Sequence, residues 1–329
     1  MTALAPTIQA FFTDRLTSQR QASPRTIASY RDTLRLLLVF AQNRTGVDPS
    51  RLDVADIDAD LVAAFLSHLE RDRNNSARTR NTRLAAVHSL FRYAALRHPE
   101  HAHTIQLVLA IPTKRHPLPD IDYLERDEAD ALLAAPDPAT WLGRRDHALL
   151  VLVVQTGLRV SELCGLTGAD LHLGTGPYVK CRGKGRKQRT TPLTGHTVEA
   201  LAAWTTELAP QPSDPLFPTR TGNPMSVDAV QWLVTKHTKT AVHTCPSIAA
   251  KNVSPHVLRH TCAMNLLHSG VDTATIALWL GHESTQTTQI YIHADMKLKE
   301  QALARTTPPA TKPGRYVPPD RLLAFLESL

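Results

Sequence analysis

Apolar residues recur at helical spacing through the first hundred residues of this 329-residue chain. Ser23-Pro24 supplies an N-cap and a proline at the first helical position. After it, Ile27, Tyr30, Leu34, Leu37, Leu38 and Ala41 form one core-facing stripe. A further segment runs from about Leu61 to Arg71. Another starts near Ser76 and turns Leu84, Val87, Leu90, Phe91 and Ala94 inward, leaving Arg80 and Arg83 free. The economical reading is a compact four-helix domain over 1–110. The basic, Pro-studded stretch 111–119 (IPTKRHPLP) reads as an interdomain linker.

From 120 to 305 the pattern stays mostly helical, with one interruption. Segments 178–182 and 188–193 read as strands around Gly183-Lys184-Gly185-Arg186-Lys187, which predicts a hairpin with a basic, Gly-rich tip. A Pro-rich connector then leads to 320–329, where Leu322, Phe325, Leu326 and Leu329 share one helical face. A helix of about ten residues is not stable alone in water, so the tail 306–329 is expected to dock. The fold class is therefore mainly α with a small antiparallel β-hairpin or sheet, an α+β second domain following an all-helical first one.

Charge changes this picture only by its distribution. The chain carries 37 Lys+Arg against 30 Asp+Glu, a net of +7 that many unrelated proteins share. Within 1–116, however, 16 basic face 10 acidic residues, and Arg71, Arg73, Arg78, Arg80 and Arg83 are the densest run. Arg suits bidentate phosphate contacts. Cys164, Cys181, Cys245 and Cys262 form no C-x-x-C pair, which argues against a zinc knuckle or a disulfide framework and suits a reducing cytosol. The start lacks a basic region followed by an apolar stretch, and the longest apolar run, 148–154, is too short for a bilayer. A cytoplasmic protein with no membrane association is expected.

Four segments hold candidate chemistry, and each has an ordinary alternative. In TGLRVSELCGL, Arg159 and Glu162 could be a plain intrahelical ion pair. Lys184 on the hairpin tip could sit in a solvated basic loop. In HVLRH, His256 and His260 have a metal-ligand spacing, but Val257 stands where a zinc protease needs Glu. Tyr291, nine residues after His282, could be a half-buried packing residue. Taken together, however, the order Arg, Lys, His-x-x-Arg, His, Tyr is a set for attack on a phosphodiester. Two arginines can hold the charge that grows on the phosphate. A tyrosine with a reference pKa of about 10 needs positive charge or a base to act as nucleophile. A Lys can protonate the leaving oxygen, and nothing in the set requires a metal or another cofactor.

These residues resemble the tyrosine recombinase (phage integrase) family, including its Xer-type members. HVLRHTCA is similar to the family's H-x-L-R-H-T-x-A, and LGHESTQTTQIYIH to its L-G-H-x-x-x-x-T-T-x-x-Y-x-H; TGLRVSEL and GKGRKQR match as well. The likeness covers roughly 118–305, with a weaker match of the N-terminal helices to the family's SAM-like core-binding domain. It implies two domains forming a C-shaped clamp on double-stranded DNA. Arg159 and Arg259 would bind the scissile phosphate, Lys184 would be the general acid, and His256 would take part in proton transfer. His282 would hydrogen-bond the phosphate, Glu162 would orient its neighbours, and Tyr291 would form a 3′-phosphotyrosyl link. Arg78, Arg80, Arg83, Arg186 and Lys187 are candidate DNA contacts. The resemblance further implies a homo-tetramer on two DNA sites, alone or mixed with a related recombinase, joined by C-terminal helices docking in trans. An integrase or transposase of a mobile element is the first reading. A Xer-type resolvase is the second, and a type IB-like topoisomerase and a non-catalytic DNA-binding regulator are the other classes.

Overall fold

A computed structural model describes residues 3–116, 121–183 and 188–281, together with Thr288 and Tyr291. The chain divides into two compact units, Met1–Leu118 and Pro119–Leu329.

The first unit is helical. Helix α1 (Leu4–Ala10) runs on into a π-wound stretch, Phe11–Gln19, and α2 (Pro24–Thr45), α3 (Ala59–Arg71), α4 (Ala77–Ala94) and α5 (Ala102–Leu109) follow. Ser23 caps α2 by accepting the Thr26 N–H, and Ser76 caps α4 by accepting that of Thr79, so both starts lie where the capping residues place them. Leu34, Leu37 and Ala41 of α2 meet Phe65 and Leu66 of α3 and Leu84, Val87 and Phe91 of α4 in one core. The four-helix expectation falls one short. Helix α5 exists because Ile105 and Val108 are buried in that same core, and eight residues give too little periodicity to reveal it in the sequence.

Arg80 also differs from its expectation. It lies one turn before Leu84 on the inner stripe, is 6% exposed, and donates to the Pro112 carbonyl at 2.9 Å. Next to it, Asn81 donates to the Lys114 carbonyl at 2.8 Å and accepts the Lys114 N–H at 3.0 Å. The opening of the expected linker is thus stitched along α4, and Arg80 is spent on backbone rather than left free.

The second unit holds α6 (Arg126–Ala134), α7 (Trp141–Thr156), α8 (Val160–Cys164), α9 (Gly195–Leu208), α10 (Val227–Ala241), α11 (Pro255–His268) and α12 (Thr273–Leu280). Its sheet is antiparallel in the order β1 (Leu171–His172), β2 (Tyr178–Arg182), β3 (Gln188–Pro192). The hairpin strands pair with Cys181 opposite Arg189 and Val179 opposite Thr191. Val179, Cys181 and Thr191 are buried while Lys180, Thr190 and Arg182 face out, the alternation of a sheet with one covered face. Strand β1 escaped the sequence reading because two residues carry no pattern. Deep in this unit, Asp146 accepts from Arg145 at 2.6 Å and from His237 Nε2 at 2.8 Å, while Arg145 also donates to the Pro218 carbonyl. Among the described residues no helix is long and apolar enough to cross a membrane. The hairpin tip 184–187, His282 and the tail 306–329, with the terminal helix expected there, lie outside the described residues.

Candidate active site

The site is built where α7 ends. Gly157 caps that helix with φ +63°, and a Cβ there would lie 2.6 Å from Leu280 Cδ2 and 3.2 Å from Cys262 Cβ. Glycine lets the chain turn here against α11 and α12 without that strain. The turn presents the Gly157 carbonyl to Arg259 of α11, whose Nη1 donates to it at 2.6 Å while Nη2 donates to the Leu280 carbonyl at 2.7 Å. Arg259 is 3% exposed and fixed from both sides.

Two residues on, Arg159 is the N-cap of α8 in extended conformation, and Glu162 is its N3 residue. The Glu162 carboxylate accepts the Arg159 backbone N–H at 2.8 Å and its Nη1 at 2.9 Å. Arg159 Nη2 donates to the Gly281 carbonyl at 2.8 Å. The spacing of three is therefore a capping arrangement that aims the guanidinium, more than a surface ion pair. Arg159 stays 34% exposed at its side chain, so its outer edge is open to a ligand.

Glu162 has a second partner that the sequence reading missed. Arg189 of β3 grips it as a fork, Nη1 to Oε1 and Nη2 to Oε2, both at 2.8 Å. The Glu162 side chain is 2% exposed and that of Arg189 13%. Burial would push the Glu162 carboxyl up, but hydrogen bonds from Arg189 and from the Arg159 backbone outweigh it and hold the group below its usual range. A signal for Arg189 existed: Arg189 and Thr191 alternate with the outward Gln188 and Thr190. The surrounding basic run, GKGRKQR, hid it as one more solvated cation.

Three guanidinium groups and one carboxylate thus share this pocket among the described residues. Burial, then the charges of Arg159 and Arg189, lower Arg259 to about 10. Such a surplus of desolvated positive charge is costly without an anion, and an anion with several acceptor oxygens matches the forks on offer.

Beside Arg259 lies Tyr291, 1% exposed and packed with Cys262, Ala263, Met264, Leu267, Ile276 and Leu280. Burial pushes its phenol up to about 12, against the pull of Arg259. Its hydroxyl is 3.0 Å from His260 Nδ1. Burial, then His256 and Arg259, push His260 down to about 4, so its ring is neutral at physiological pH. His256 is exposed, its ring centroid 4.3 Å from that of His260. The ring of Tyr291 is therefore core, as the packing reading has it, while its hydroxyl meets an imidazole beside a cationic pocket. No group of His, Cys, Asp and Glu suited to a metal occurs among the described residues.

Arg159, Glu162, His256, Arg259 and Tyr291 come together as the sequence led us to expect. Lys184, Arg186, Lys187 and His282 lie outside the described residues. In the first unit, Arg78 and Arg83 line a cleft of about 470 Å³ between α2 and α4 with Arg25, Ser29 and Asp32.

The profile of the Phage integrase family matches residues 122–297, and that of the phage integrase N-terminal SAM-like domain matches 9–98. The chain belongs to the phage integrase family, the tyrosine recombinases, which break and rejoin DNA site-specifically. It is 54% identical over 329 residues to an integrase/recombinase named y4rC of Sinorhizobium fredii, covering 99% of this chain and 98% of that one. To the tyrosine recombinase XerC of Xanthomonas campestris it is 36% identical, over 87% of this chain and 84% of the other. Among solved structures, the XerH site-specific recombinase bound to palindromic difH substrate, a post-cleavage complex, superposes with a TM-score of 0.69. That match is 23% identical and covers 87% of this chain and 81% of XerH. At that identity it shows a shared fold.

Proposed function

We propose that this recombinase cleaves one DNA strand at a time through a 3′-phosphotyrosyl bond to Tyr291 and exchanges strands through a Holliday junction, as the integrase or transposase of a mobile element. The observation that carries the reading is the pocket of Arg159, Arg189 and Arg259 around a single carboxylate, with the Tyr291 hydroxyl at its edge. A phosphodiester entering there meets Arg159 and Arg259 at its non-bridging oxygens, which stabilises the extra charge of the pentacoordinate transition state. Tyr291 Oη attacks phosphorus and the P–O5′ bond breaks. Lys184 gives the departing O5′ its proton, and His282 hydrogen-bonds the phosphate. Because the new ester keeps the energy of the old one, rejoining needs no ATP. Glu162 keeps Arg159 aimed and does not react. His256 takes part in proton transfer near the nucleophile.

The first domain, with Arg78 and Arg83 on its cleft, and the hairpin residues Arg186 and Lys187 grip double-stranded DNA. Four copies on two sites, alone or mixed with a related recombinase, are joined by terminal helices docking in trans, in the cytoplasm on the cell's DNA. Likeness to y4rC supports the integrase role. The 36% identity to XerC favours, as second reading, a resolvase of chromosome or plasmid dimers.

Supercoiled plasmids carrying DNA from either flank of the gene test this. The expected outcome is crossover at one position, in chelator and without ATP. Relaxation of every plasmid regardless of sequence, without crossover, contradicts it and indicates a topoisomerase.

A further inference from the structure

We infer that His260 is the group that takes the proton from Tyr291 as the tyrosine attacks, a role that rests on Tyr291 being the nucleophile. The resemblance directs attention to His256, the first histidine of HVLRH. The geometry points to the second. His260 Nδ1 is 3.0 Å from the Tyr291 hydroxyl, within direct transfer distance. The helix enforces this: one turn of α11 carries His256, Arg259 and His260, and Arg259 is pinned by the Gly157 and Leu280 carbonyls. His260 follows directly and faces the tyrosine, its ring centroid 5.5 Å from that of Tyr291 at 67°. His256 stands a turn earlier, exposed, its ring centroid 4.3 Å from that of His260, next in line to take part in the proton transfer.

The proton balance is simple. In the tautomer with Nδ1 bare, His260 accepts the phenol proton as the Oη–P bond forms. The O–H electron pair becomes the Oη–P bond, and the P–O5′ pair leaves with the 5′-oxygen. The imidazolium returns its proton to Oη when the strand is rejoined. Burial disfavours both charged partners and so keeps the proton on the phenol until the attack. An anionic phosphodiester beside the ring makes the imidazolium easier to form. Among the described residues, His256 and Arg259 of α11 and Tyr291 face His260, while Arg159, Arg259 and Cys262 face Tyr291.

The test uses the full chain and nicked suicide duplexes drawn from the gene's flanks, with adduct formation timed between about pH 6 and 9. His260→Gln keeps a hydrogen-bonding group but no base. We expect its rate to fall at least about 100-fold at neutral pH and to rise steeply with pH, while wild type stays flat, since hydroxide then replaces the ring. His260→Ala should regain rate in added imidazole. Bound DNA, measured in parallel, should be unchanged, which separates lost chemistry from a misfolded chain. A His260→Gln rate equal to or faster than wild type overturns the proposal, as does the steep pH dependence appearing in His256→Gln alone. If wild type itself forms no adduct, the nucleophile reading fails and takes this one with it.

Discussion

Glu162 shows how a single buried side chain can organise a site without reacting. It accepts from Arg159 twice and from Arg189 twice, at 2.8 to 2.9 Å, with almost no exposure to water. Removing its charge leaves two guanidinium groups facing each other. Glu162→Gln should therefore cost roughly 3 kcal/mol of stability, measured by urea unfolding of the second unit. The sign of the pH dependence follows from the lowered carboxyl. Its contribution is complete above the ordinary value of 4.5 and is lost as pH falls through the lower folded-state value. In Glu162→Gln that part of the acid-side slope should vanish. An acid-side slope unchanged by the substitution contradicts the assigned pairing. At this scale the sequence was legible wherever a residue's position follows its motif: Arg159, Glu162, Arg259 and Tyr291 lie together in the second unit. Arg189 and His260 were not. Their partners lie 27 and 31 positions away, and only folding brings each pair within hydrogen-bond distance.

At the scale of elements, two junctions matter. The turn after α7 favours glycine, because at φ +63° a side chain is strained and its Cβ would press on Leu280 and Cys262. Gly157→Ala should destabilise the second unit by about 1–3 kcal/mol and displace the carbonyl that holds Arg259, so DNA affinity should drop with it. Unfolding at the wild-type urea midpoint would argue against that strain. The other junction is the stitch from α4 to 112–114. Two hydrogen bonds through Asn81, at about 1 kcal/mol each, hold Lys114 in place, and its Nζ pairs with Glu70 at 2.7 Å. In Asn81→Ala, tryptic cleavage after Lys114 should accelerate roughly thirtyfold. An unaltered rate means the stitch contributes nothing. Hydrophobic periodicity predicted α2, α3, α4 and the hairpin strands well, because each is long or alternates cleanly. It could not reveal α5 or β1, which are short and stabilised by contacts distant in sequence. Nor could it show that Arg80, at the end of an apolar stripe, would be covered by the chain just beyond α5.

For the whole molecule, two units with separate cores match the division between the two family profiles, 9–98 and 122–297. On the proposed reading a basic N-terminal unit and a cationic pocket in the second would both address phosphates, so binding to duplex DNA should weaken steeply with salt. Across a log–log plot of affinity against salt, the slope should become shallower by about one for each phosphate-contacting arginine removed, Arg78 or Arg83 for example. A slope that does not change on removing either residue takes it out of the interface. The central claim is covalent: Tyr291 carries the broken strand. Its most direct measurement is mass spectrometry of the protein–DNA adduct trapped on a nicked suicide duplex from the gene's flanks. The account predicts a DNA 3′-phosphate on the peptide containing Tyr291, and no adduct from Tyr291→Phe despite full binding. An adduct that persists in Tyr291→Phe, or tight binding by wild type with no adduct on any flank, would contradict it.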